Sequence, residues 1–134
     1  MLKDIPQHIV EGIGIAVVGD GTGKEQENWN VYLLNFRKEL IEGVLVTSKG
    51  FGMIEGDEVK TSTLRHSLGS VEPETYTKIE PIISNLFGLN NEYWVSFFLN
   101  GVMYDRKFIF LPGTISEENF IKVPLINKRG VMIR

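Results

Sequence analysis

The sequence predicts an all-β protein: a single-domain antiparallel β-sandwich of immunoglobulin-like type over residues 1–134. Three observations predict it. Turn signals recur about every 8–12 residues, as in sandwiches and barrels. The apolar residues between them follow a period of two. No stretch holds helical spacing over three turns. About eight or nine strands result, and two sheets are needed to bury the aromatic-rich ones against each other. A small β-barrel is the alternative closure.

The clearest element surrounds Asn100-Gly101. Asn-Gly favours positive φ at both central positions of a type I′ turn, which joins two antiparallel strands with a fixed register. Leu99 then faces Val102, Phe97 faces Tyr104, Val95 faces Arg106 and Tyr93 faces Phe108; this is the expected core face. Phe98 with Met103, Ser96 with Asp105 and Trp94 with Lys107 form the other, mixed face.

Upstream, residues 29–36 are rich in β-formers, and Arg37-Lys38-Glu39 suggests a hairpin turn back through residues 41–48. Gly50 and Gly52 around Phe51 suggest a bulge or bend. Glu55-Gly56-Asp57 reads as a turn, followed by a polar strand over 58–66. Residues 12–18 give an early strand, followed by a polar loop over 19–27. Residues 75–83 alternate weakly and contain Pro81, which favours an edge strand or a strand end. Residues 84–91 read as a loop. Thr114 with Glu117 fits a capping box and one helical turn. A last hairpin is expected between residues 120–126 and 131–134, turning at residues 127–130.

Composition bounds the function. At 134 residues and 43% apolar, with eight Phe, four Tyr and two Trp, the chain can build a core without staples. It has no cysteine, which excludes disulfides, thiolate zinc sites and cysteine nucleophiles. The opening residues Met1-Leu2-Lys3-Asp4-Ile5-Pro6 are too polar for a signal peptide, and no apolar run approaches the roughly 18–20 residues of a membrane span. A cytoplasmic location is the expectation. Seventeen acidic against fourteen basic residues leave a net charge of −3, and the basic residues are scattered, so a nucleic-acid partner is not indicated.

Catalytic patterns fail on spacing. Residues 19–24 follow a strand, but three residues rather than four separate Gly19 from Gly23, and Glu25 follows Lys24 where a phosphate loop needs Ser or Thr. Asp20, Glu25 and Glu27 lack the ordered acidic alternation of a calcium loop. His8 and His66 are the only histidines, too few for a three-ligand metal centre. His66 follows Arg65 among Thr61, Ser62, Thr63 and Ser67, so Arg65 and His66 are the candidate ligand-binding pair. No catalytic residue, metal or cofactor is assigned. The aromatic face of the Asn-Gly hairpin carries more weight: Trp94, Phe98, Met103 and Lys107 are candidate partner-binding residues, with a cation–π contact expected between Lys107 and Trp94. The competing expectation is that residues 86–89 fold over these side chains and bury them.

The runs at 29–33, 44–50, 63–66, 78–82, 87–97 and 104–113 resemble a family of small uncharacterised bacterial proteins, chiefly from Bacteroidetes. The resemblance covers nearly the whole chain. It brings no catalytic motif with it. Some similar sequences carry an automated label of phenylalanyl-tRNA synthetase subunit; the chain is too short for such a catalytic module and lacks its ATP-binding arginines. The expected function is therefore a non-enzymatic protein-interaction or self-association module. The alternatives are a small-ligand binder or enzyme using Arg65 and His66, and a nucleic-acid accessory domain.

Overall fold

Asn100 and Gly101 adopt φ of 51° and 77°, the conformation a two-residue type I′ turn requires. They join β7 (Asn90–Leu99) to β8 (Val102–Phe110). Every cross-strand pair expected from that turn is present, from Leu99 opposite Val102 to Tyr93 opposite Phe108. Tyr93, Val95, Phe97 and Leu99 are buried on one face.

The computed structural model describes residues 10–19 and 28–134, so His8 and the readings placed on Asp20, Gly23, Lys24, Glu25 and Glu27 lie outside the described residues. Those described form ten strands and no α-helix, and none of their helical turns is long and apolar enough to cross a membrane. The other eight strands are β1 (Ile13–Gly19), β2 (Trp29–Asn35), β3 (Ile41–Ile54), β4 (Asp57–Lys60), β5 (Leu64–Val71), β6 (Thr75–Ile82), β9 (Ile121–Val123) and β10 (Lys128–Ile133). They build two antiparallel sheets packed face to face. The back sheet runs β6-β2-β1-β10-β9; the front sheet runs β4-β3-β7-β8, with β5 also paired to β3. Neither closes into a barrel. The pairing β1-β2-β6 against β3-β7-β8 reproduces the A-B-E against C-F-G pairing of immunoglobulin-like sandwiches. Strands β9 and β10 extend the back sheet beyond β1.

The core lies between the sheets, from Ile13, Ile15, Val17, Val31 and Leu33 at the back to Val44, Val46, Tyr93, Val95, Phe97 and Phe108 at the front. Trp29 closes one end, with ring centroids 5.4 Å from both Phe87 and Phe120. Pro81 sits in β6, which is an edge strand, as its missing N–H requires.

Several elements differ from the sequence reading. Strands β2 and β3 are not a hairpin: they belong to different sheets. The fully buried Asn35 makes the corner. Its Nδ2 donates to the Glu39, Val71 and Glu72 carbonyls, and its Oδ1 accepts from the Arg37 N–H. This satisfies the backbone where the chain leaves one sheet for the other. The bulge in β3 lies at Gly43 (φ 57°) and not at Gly50 to Gly52. Gly50 instead permits close approach: a Cβ there would sit 3.0 Å from the Thr61 methyl. The polar segment after Gly56 is two strands, β4 and β5, separated by Thr61, Ser62 and Thr63. The single turn expected after Thr114 is a 3₁₀ turn at Glu117–Asn119, behind Ser116, without a side-chain cap. The last hairpin turns at residues 124–127, earlier than expected. Leu125 there has φ 68°, a conformation bulky residues rarely adopt and which no local signal announces.

Candidate functional site

The outer face of the front sheet is built by alternation and register alone. On β7 the outward residues are Glu92, Trp94, Ser96 and Phe98. On β8 they are Ile109, Lys107, Asp105 and Met103, in matching order. On β3, Lys49, Thr47 and Leu45 stand beside Glu92, Trp94 and Ser96. Trp94 is 45% exposed, Phe98 42%, Met103 56% and Leu45 40%. Lys107 Nζ lies 4.9 Å from the Trp94 ring centroid, as expected. Glu92, itself nearly buried, sits between Lys49 (3.6 Å) and Lys107 (3.8 Å). The two ammonium groups are thus balanced in part by one carboxylate, and the face is apolar with a compensated charge row at one end.

The expectation that residues 86–89 cover this face is corrected by the structure. Leu86 and Phe87 pack on the core between the sheets, and Leu89 is fully buried. The segment is held there by Asn91 Nδ2, which donates to the Leu86 and Leu89 carbonyls. The four candidate residues therefore share one open face.

Arg65 and His66 do not act together. Adjacent residues on a strand point to opposite faces. Arg65 pairs with Thr47 and is exposed on the outer face, whereas His66 pairs with the buried Val46. The His66 ring reaches the neighbouring sheet, where Nε2 lies 2.7 Å from Glu80 Oε1. The same oxygen accepts from Ser48 Oγ at 2.6 Å, and the Tyr93 phenol also hydrogen-bonds to Glu80. Burial, the Glu80 charge and that hydrogen bond, in this order, raise the Tyr93 phenol far above its ordinary value of 10.0, so it remains a donor.

Glu80 escaped the sequence reading for a definite reason. Strict alternation along β6 turns Ile79 inward and Glu80 outward. A β-bulge breaks the pairing between Val31 and Tyr32: Val31 pairs with Glu80 and Tyr32 with Lys78, leaving Ile79 as the extra residue. After the bulge the alternation is reversed, so Glu80 and Ile82 face between the sheets while Pro81 is exposed. Bulges commonly re-aim a side chain in this way.

This cluster borders a cavity of about 390 Å³ between β3, β7 and β6. Its polar lining includes Ser48, Lys49, Glu80, Asn91 and Tyr93; Leu64, Ile82, Ile83 and Leu86 supply apolar wall. A wider hollow of about 500 Å³ lies over Phe51, Met53, Lys60 and Thr63; its Lys60 and Glu58 are well exposed. The cluster does not form a nucleophilic triad. Ser48 and His66 both contact the carboxylate and not each other, so the imidazole is not placed to take the Ser48 proton. Among the described residues no three His, Asp or Glu side chains are grouped to hold a metal ion.

No protein-family model, no curated protein and no solved structure matches the chain.

Proposed function

We propose that the chain is a non-enzymatic protein-interaction module whose contact surface is the outer face of the front sheet. The observation that carries this reading is the exposure of Trp94, Phe98, Met103 and Leu45 together on one rigid sheet face. Tryptophan, phenylalanine and methionine are enriched where proteins meet, and a sheet presents them at little entropic cost. The β8 edge carries Asp105, Arg106 and Lys107 in succession, and charges of this kind discourage pairing of one edge with another. Contact is therefore face-on and not by strand addition. Because Glu92 sits between Lys49 and Lys107, the face lacks the free basic stripe that phosphate backbones require.

Light scattering over a concentration series, followed by affinity capture with the wild-type protein and with a Trp94→Ser/Phe98→Ser double variant, tests the reading. The expected result is either a mass increase with concentration or a captured partner, lost in the double variant while the thermal midpoint is kept. A monomer at every concentration, with identical captured proteins for both forms, overturns it.

A further inference from the structure

The inner cavity is separate from the outer face, and its chemistry is different. Glu80 is placed between two apolar sheet faces by a bulge, with its side chain only 13% exposed. Among the described residues no lysine or arginine pairs with it; its one ion-pairing neighbour is His66, charged only when protonated. Lys49 borders the cavity as well, but its ammonium turns to Glu92 on the outer face. A carboxylate offers roughly four acceptor positions. Ser48, His66 and Tyr93 occupy three. One acceptor position remains on a carboxylate largely removed from water, beside a wall of Leu64, Ile82, Ile83 and Leu86.

A cationic donor entering the cavity would give that open position a charge-assisted hydrogen bond. The rim is already in place: Thr61 donates its N–H to the Gly50 carbonyl and its hydroxyl accepts from the Gly50 N–H. At about 390 Å³, the cavity is at the small end of the range for small-molecule sites.

We propose that this cavity binds a small organic cation, a primary amine or amidine with an apolar body, its head hydrogen-bonded to Glu80 and its body against Leu64, Ile82, Ile83 and Leu86. The site does not depend on the outer-face reading, since it lies on the opposite side of the front sheet and its test does not read association.

The experiment is a methyl and amide NMR titration of the whole chain with 2-phenylethylamine, hexylamine and benzamidine, and with 3-phenylpropionate and hexanoate as anionic counterparts. The expected result is saturable shifts at Leu64, Ile82, Ile83 and Leu86 for at least one cation, half-saturating at a concentration tenfold or more below its anionic counterpart. Glu80→Gln should weaken that cation tenfold or more and abolish the preference. Because Glu80→Gln also disturbs the Ser48 and His66 bonds, Leu64→Trp serves as a second variant: it fills the cavity from an exposed wall position and should block binding with the thermal midpoint retained. No saturable shift with any of the three cations overturns the proposal. So does equal binding of cations and anions by the wild type, or undiminished binding in Leu64→Trp.

Discussion

The two outer faces of this sandwich solve the same problem differently. The back sheet turns Ala16, Val18 and Leu34 outward, and the chain covers them itself. Val123 and Ile126, from β9 and the turn after it, pack on these residues to make a second small core, flanked by Tyr32, Phe36, Leu125 and Met132. The front sheet turns Leu45, Trp94 and Phe98 outward, and no segment of the described chain covers them. A face with its own cover contributes to the stability of the fold. A face without one carries apolar area that adds little to folding, and it is the face proposed above as a contact surface.

Two leucines break or sharpen this comparison most directly. Leu34 is fully buried on the back face, and Leu45 is 40% exposed on the front. Leu34→Ala should cost about 2–5 kcal/mol, the usual range for truncating a buried leucine; Leu45→Ala should cost below about 1 kcal/mol. Urea denaturation measures both, and equal losses would remove the distinction between the faces. Next in size is Gly130→Ala. A Cβ at Gly130 would run into the backbone of Val17 and Val18 in the neighbouring strand, so β10 must shift away from β1 and loosen the cover. A loss of about 1–3 kcal/mol, typical of overpacking, is expected in the same assay.

Tyr93 and Trp94 are adjacent on β7 and face opposite ways. Tyr93→Phe removes the donor to Glu80 and should cost about 1 kcal/mol near neutral pH. It should also change the alkaline limb. The folded phenol titrates far above 10.0, so above about pH 10 the unfolded chain releases a proton that the folded chain retains. The contribution is complete below pH 10 and is lost as pH rises beyond it. Wild-type stability should therefore fall more steeply above pH 10 than that of Tyr93→Phe, as measured by denaturation at pH 8, 10 and 11. The smallest effect is expected at Met103, 56% exposed. Met103→Ser should change folding stability by no more than about 0.5 kcal/mol; a loss above about 1.5 kcal/mol would show that the front face is part of the folding core after all.

The outer face was legible from the chain because its ingredients are local. Asn100-Gly101 sets the turn, the turn sets the register, and alternation then assigns Trp94, Phe98, Met103 and Lys107 to one face and Tyr93, Val95 and Phe97 to the other. Whether that face was covered was not legible. Residues 86–89 are as apolar as a covering loop needs to be, and only the bonds from Asn91 and the packing of Phe87 on Trp29 direct them elsewhere. Arg65 and His66 stood out as letters in the sequence, yet strand geometry separates them, and the residue that joins His66 was never singled out.

By itself the sequence determined the all-β class, the β7–β8 hairpin with its register, and the placing of Pro81 at a strand edge or end. All three follow from turn chemistry, a period of two and one missing N–H, which act over a few residues. Tertiary structure alone decided the passage of β2 and β3 into different sheets, the second core on the back face and the inward turn of Glu80. The last depends on one extra residue, Ile79, against a partner strand some fifty positions away. Such a bulge is settled by the fit between strands and leaves no mark in the local pattern.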